Sequence, residues 1–475
     1  MGRAPRHQSP QSVLLMTSLL LLCIVPFFLV QIISVDSEQS AFARSHNSHV
    51  RTPAPPLTVP KYEASVFQAN HTPRFPDATR GIVMTLHNNM AALGISLIQE
   101  LRRLGNRLPI QVYHCFTGEL LEATRNLLRQ TDPLDLVEIV DVCPVLLQNG
   151  VFATHWSALD YQSYLLKVVA LLHTSFDEVM LLDADAIFLQ NPDVLWSIDA
   201  YRRTGTLFFF DRQIDFKLFF NSPAPGGRTL LRHLYVHFPY EAFGLRMPGV
   251  SPQLRTSRAW QGATAHEQDS SVVLVRKSQV PPVVFQVMWH LVHYLRTDRV
   301  FKAGLSWGDK EYFWLAFMLA DAPYEFSPYA AADVALPEDM VRHPDTLCGN
   351  MAHYLPVPDE AKAVLLYVNG NDLLAPYFRA GDLRPLADNA TWAEKEAFLV
   401  ERIPAHVTPR RTERSYEPDR TGFHEACLIH QGAVPIDDPT FRPRVDQRIR
   451  ETIAAARLVQ TKPPNNWVPV ARVAA

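Results

Sequence analysis

Beyond residue 80 the chain alternates short apolar runs with longer stretches of helical apolar spacing. Gly81–Leu86 (GIVMTL), Pro109–Phe116 (PIQVYHCF), Leu136–Val142 (LVEIVDV) and Glu178–Leu182 (EVMLL) are short and apolar and predict strands. Asn88–Leu104, Leu120–Leu128 and Ser157–His173 lie between them and predict helices. Such alternation predicts an α/β fold, with a mostly parallel sheet covered by helices on both faces. Sites in such sheets collect at the carboxyl ends of the strands. No internal repeat is present.

Val13–Val35 is a 23-residue run without a charged side chain, long enough to cross a bilayer as a helix. Arg3 and Arg6 precede it, and Asp36 and Glu38 follow it, which predicts a cytosolic N-terminus and a luminal body. A cleaved signal peptide is the competing reading, with Ala41-Phe42-Ala43 as the cleavage shape. The expected plan is a cytosolic tail (1–12), an anchor (13–35), a Pro-rich stem (36–77), a catalytic body (78–440) and a C-terminal tail (441–475). Sequons at Asn70 and Asn389 suit a secretory compartment. Four Cys lie beyond the anchor and allow three pairings. Cys115 and Cys143 each end a predicted strand, so that pair is expected. The formal charge of −3 offers no basic surplus for nucleic acid. A 47% hydrophobic content with one long apolar run excludes a multi-pass membrane chain.

The fourth predicted strand runs straight into Asp183-Ala184-Asp185. Buried carboxylates must be paired or bind a cation, and an acidic pair at a strand end suits a hard divalent ion. A solvent-exposed capping turn is the plainer alternative. Lys167 interrupts an apolar helix face sixteen residues earlier, where it can meet phosphate oxygens or snorkel at the helix edge. Gln268, Asp269 and Ser271 precede the β-branched run SVVLV, either as sugar contacts or as a turn. In Trp307–Trp314, Asp309 either faces a substrate or caps a helix, Trp307 can stack on a sugar, and Glu311 is a further carboxylate. The long stretch Arg212–His266 either shapes an acceptor site or carries extra helices.

VMLLDADAIFLQNPDVLW resembles the D-x-D region of metal-dependent nucleotide-sugar glycosyltransferases. YLLKVVA at Tyr164–Ala170, SFDEV at Ser175–Val179, HEQDSSVVL at His266–Leu274, WGDKEYFW at Trp307–Trp314 and LCGNMAHY at Leu347–Tyr354 extend the likeness. Together they resemble the fungal-type Golgi α-1,3-mannosyltransferase family, over roughly Arg80 to Asn371. The resemblance implies a GT-A, Rossmann-like fold, GDP-mannose as donor, Mn²⁺ as cofactor and retaining α-1,3 transfer to a mannosylated glycan. It also implies a single-pass type II protein of the Golgi membrane, with a Golgi glycosyltransferase complex as a candidate partner. In that frame Asp183 and Asp185 hold the metal, with His353 as third ligand. Lys167, Asp183, Ser271 and Trp307 bind the donor, and Asp309 and Asp269 are catalytic. Related transferases carry the ligand His where this chain has Asn369-Gly370-Asn371, a departure that leaves His353 or Asn369 for the role. Two alternatives stay open: the same fold using a UDP-sugar, and a catalytically silent luminal lectin or assembly partner.

Overall fold

The computed structural model describes residues 62–295, 305–335, 343–357, 363–375, 390–414 and 427–459. The expected cytosolic tail, the anchor and Asn389 lie outside them. Among the described residues no helix is long and apolar enough to cross a membrane.

The first half of the body follows the predicted alternation. A short helix α1 (Ala64–Gln68) leads to β1 (Arg80–Thr85), α2 (Ala91–Arg103), β2 (Ile110–His114), α3 (Glu122–Thr131) and β3 (Val137–Asp141). Helix α4 (Leu166–His173) and β4 (Glu178–Leu182) follow. After the D-x-D turn come β5 (Ala186–Phe188), β6 (Thr206–Phe210), β7 (Gln268–Arg276) and α5 (Tyr312–Leu319). The rest comprises β8 (Ala332–Ala335), β9 (Leu347–Tyr354), β10 (Leu365–Asn369), α6 (Trp392–Glu401), β11 (His406–Val407), β12 (Cys427–Leu428), β13 (Val434–Pro435) and α7 (Phe441–Val459).

The main sheet has the order β3-β2-β1-β4-β7-β6. β1 is parallel to β2 and β4, with Ile82 opposite Ile110 and Met180. β7 is antiparallel to both β4 and β6. The expected mostly parallel sheet is therefore a mixed one. A second sheet, β13-β11-β8-β9-β10-β5, is antiparallel throughout and was not anticipated. Its strands are short and scattered between loops, so their alternation is weak in the sequence.

The period-two geometry of a strand divides the core in two. Val83, Val179, Leu181, Val273 and Val275 face one apolar cluster, together with α4 and α5. Ile82, Met84, Met180, Leu182, Val272 and Leu274 face the other, together with α2 and α7. Helices thus cover both faces, as expected.

Two expected boundaries are corrected. The stem does not extend to residue 77, because Tyr62 and Phe67 are buried in the body. Tyr62 OH donates to Leu172 O at 2.9 Å, and Phe67 packs edge-on against Trp289. Nor is everything after residue 440 a tail, since α7 places Val445, Ile449, Ile453 and Ala456 in the second core. These recur at three- and four-residue spacing, which is why the segment folds as a core helix. The expected single helix Ser157–His173 is also interrupted. Ser163 adopts a left-handed φ of 68°, and its N–H donates to Glu119 Oε1 at 2.8 Å.

Both disulfides close within the body. Cys115–Cys143 is the expected pair, and Cys348–Cys427 joins β9 to β12. Among residues 212–266 the segment folds into short helices at Leu230–His237, Pro252–Thr256 and Arg258–Gln261.

Arg448 of α7 is fully buried and donates to Leu93 O at 3.1 Å and Ala184 O at 2.8 Å. It also lies 3.8 Å from Glu100 Oε2. Removing one member of a buried pair leaves the other charge without compensation. Arg448→Ala is expected to cost about 3–5 kcal/mol in urea unfolding. A loose tail would predict no measurable change.

Candidate active site

The D-x-D turn is where the chain leaves one sheet for the other. β4 ends at Leu182 in the main sheet, and β5 begins at Ala186 in the second. The turn between them is held from three sides. Asp183 N donates to Ser271 O at 2.8 Å, Gly370 N donates to Asp185 O at 2.9 Å, and Arg448 holds Ala184 O. Asn369 pairs with Ala186 across β10 and β5, so the Asn369–Asn371 segment does reach this turn.

Lys167 projects from α4 into a ring of oxygens. Its Nζ lies 2.8 Å from Asp183 Oδ1 and 3.1 Å from Asp309 Oδ2. It also donates to Ser270 O at 2.9 Å and approaches Ser270 Oγ at 3.2 Å. An ammonium has three N–H groups, so this one is already saturated. In this arrangement Lys167 fastens Asp183, Asp309 and the start of β7 to one another. Burial opposes its charge, but the two carboxylates outweigh it and raise its pKa.

The carboxylates outnumber that one cation. Asp183 has 31% of its side chain exposed yet sits deep in the cleft. Burial pushes it up to about 7, with Lys167 opposing and Asp185 and Asp309 adding to the rise. Burial also raises Asp185. Three acidic groups against one ammonium leave an excess of negative charge at a partly open strand end. That donor chemistry fits a hard divalent cation at Asp183 and Asp185. The cleft above it is lined by Thr85 at the end of β1, by Leu86 and His87 beyond it, by Glu119, and by Tyr164, Lys167 and Asp183.

His353 does not join the D-x-D pair. Its Nε2 lies 2.9 Å from Asp269 Oδ2, and both residues are buried. Among the described residues no three His, Cys, Asp or Glu side chains gather as a metal site. Asp269 also accepts from Ser271 N at 3.1 Å, from Ser271 Oγ and from Tyr367 OH at 3.4 Å. Although burial works the other way, His353, Lys310 and Ser271 hold the Asp269 carboxyl well below its usual range. Asp269, Ser271 and His353 thus form a buried network behind the turn, away from the cleft wall.

The Trp307–Trp314 segment is tied to α4, to the residue after β6 and to the approach to β7. Asp309 meets Lys167, and Lys310 meets Asp211 at 2.5 Å. Glu311 accepts from Glu267 N at 2.9 Å and from Trp314 Nε1. The capping role for Asp309 is not adopted, because α5 starts only at Tyr312 and has no side-chain cap. Trp307 stays 43% exposed. The structure therefore brings Lys167, Asp183 and Asp309 together, with Asp185 in electrostatic reach, and puts Asp269, Ser271 and His353 in a separate cluster.

Sequence reasoning missed Arg448, Tyr367, Asp211 and Asp333. Arg448 was detectable as the lone cation on the apolar face of α7. Tyr367, inside the apolar run of β10, carries no such signal.

An α/β body with a cleft that carries acidic groups at the carboxyl end of its main sheet is thus defined. Residues 79–354, more than half of the chain, match the family described as "Mannosyltransferase putative", and the chain belongs to that family. It is 25% identical over 382 residues to the Saccharomyces cerevisiae protein named "Alpha-1,3-mannosyltransferase MNN1", covering 72% of this chain and 47% of that one. It is 26% identical over 265 residues to a Candida albicans protein named "Putative alpha-1,3-mannosyltransferase MNN14", covering 54% of this chain and 36% of that one. The chain thus spans less than half the length of these relatives. Among solved structures, galactosyltransferase LgtC with donor and acceptor sugar analogs covers 55% of this chain and 77% of its own, at 13% identity. Its TM-score of 0.31 is too low to bear on the fold.

Asp333 on β8 offers a pH test of a buried carboxyl. Its Oδ1 meets Arg212 Nη1 at 3.2 Å, while Oδ2 has no hydrogen-bond partner among the described residues. Burial pushes the carboxyl from 3.8 up to about 7. The folded chain therefore holds this proton more tightly than the unfolded chain. The stability it contributes is complete below pH 3.8 and is lost as pH rises through about 7. Asp333→Asn is expected to lose less stability than the wild type over that window, read by urea unfolding at several pH values. Parallel curves would contradict the assignment.

Proposed function

We propose that the chain is a glycosyltransferase of the GT-A type that moves mannose from GDP-mannose to a mannosyl acceptor, with retention, in an α-1,3 linkage. The observation that carries the reading is Lys167, bridging Asp183 at the strand end and the buried Asp309. Family membership supports mannose as the transferred sugar. Asp183 and Asp185 would hold Mn²⁺, with Asn369 better placed than His353 to complete the set. When bound, the ion neutralises the diphosphate as it leaves. Lys167 keeps Asp183 and Asp309 from repelling each other and so fixes where each carboxylate stands. Asp309, held in this way, orients the sugar near the reacting carbon. Asp269 and Ser271, locked to His353 and Tyr367, brace the strand from which Ser271 O accepts the Asp183 N–H.

We place the body in the Golgi lumen, behind the anchor at residues 13–35. Two disulfides in the body support an oxidising compartment.

A donor panel of GDP-mannose and common UDP-sugars, assayed with Mn²⁺ and with EDTA, tests the reading. Transfer from GDP-mannose is expected, abolished by EDTA and reduced about 100-fold or more by Asp185→Asn. The new linkage should be α by NMR. Turnover of a UDP-sugar instead would overturn the donor. No turnover and no metal-linked nucleotide binding would favour the silent partner.

A further inference from the structure

Two aromatic side chains stand exposed beside the cleft. Tyr164 is 67% exposed and lines the cleft with Lys167 and Asp183. Trp307, 43% exposed, rests edge-on against Phe219, with ring centres 5.5 Å apart, and tilts over His266 at 5.0 Å. Gly308 joins them: a Cβ there would fall 3.0 Å from Tyr164 Cβ and Cγ, and its φ is +66°. The next residue is Asp309, already fixed on Lys167.

The backbone is strained on both sides of this pair. Ser163, directly before Tyr164, and Phe219, directly under Trp307, have φ of 68° and 52°. Left-handed conformations in such residues persist only where the surroundings impose them, and they gather at ligand sites. Here the Glu119 carboxylate holds the Ser163 N–H. A flat, rigid, exposed ring packs well against the apolar C–H face of a pyranose and leaves the sugar's hydroxyl edge free.

We propose that Tyr164 and Trp307, in contact through Gly308, form an aromatic rim that takes the terminal mannose ring of the acceptor. This inference rests on the mannosyl-transfer reading. The carboxylates that would hold a cation for the diphosphate lie deeper, at Asp183 and Asp185, so the rim is left for the sugar that arrives from solvent. Trp307 is thereby moved from donor to acceptor contact. Phe219 brings the 212–266 segment into the same site.

In the full chain, Tyr164→Ala and Trp307→Ala are each expected to raise the KM for an α-linked mannobiose acceptor about tenfold, with the donor KM moving less than about twofold. Tyr164→Phe and Trp307→Phe keep a flat ring and should recover most of the loss. Unaltered acceptor KM in both alanine variants, or a rise confined to the donor KM, overturns the rim. Mannobiose binding followed by saturation-transfer NMR needs no donor and reads the rim independently. Signal in the wild type that vanishes in the double alanine variant is expected; equal signal in both, or none in the wild type, overturns the rim. A wild type that transfers from no donor yet loses mannobiose on double substitution would sink the transferase reading and keep the rim.

Discussion

One buried ammonium carries the site. Strand β4, strand β7 and the Trp307–Trp314 segment all deliver oxygens to the same point, and three acidic groups there would repel one another. Lys167 resolves most of that repulsion. It can do so because α4 is largely apolar and packed into the first core, so the lysine is buried and its ammonium is directed at these oxygens. Burial raises the cost of charge and strengthens each pairing. The remaining negative charge at Asp183 and Asp185 is what makes a divalent cation welcome there.

The turn gains its rigidity from being a crossing between sheets. The backbone of Asp183 continues an interior strand of one sheet, and that of Asp185 leads into the edge strand of the other. Behind them, Asp269, His353, Ser271 and Tyr367 lock β7 to β9 and β10. Arg448 reaches Ala184 from the far end of the sequence. A loop so constrained presents its carboxylates without having to reorganise, which is what electrostatic preorganisation requires.

Much of this was legible in advance. The four strands and the acidic turn announce themselves by apolar runs that stop abruptly at charge. Lys167 and Asp309 stand out because each breaks an apolar or aromatic context. What was hidden depends on tertiary partners. The break at Ser163 is set by Glu119, over forty residues away, and local propensity favours a continuous helix there. His353 reads as a ligand in its motif, yet its partner Asp269 lies 84 residues earlier. The reversed strand β7 cannot be told from a parallel one by its composition. Helix α7 has the right periodicity, but its charged outer face disguised it as a tail.

Mannose transfer by Lys167→Met, compared with the wild type, tests the central claim most directly, provided near-UV circular dichroism shows that both are folded. The substitution keeps the volume and removes the charge that separates Asp183 from Asp309. A loss of about 100-fold or more is predicted, not restored by Lys167→Arg, whose planar guanidinium cannot replace a compact ammonium among four oxygens. Activity within about twofold of wild type in Lys167→Met would contradict the account, because the carboxylates would then be positioned without their shared cation.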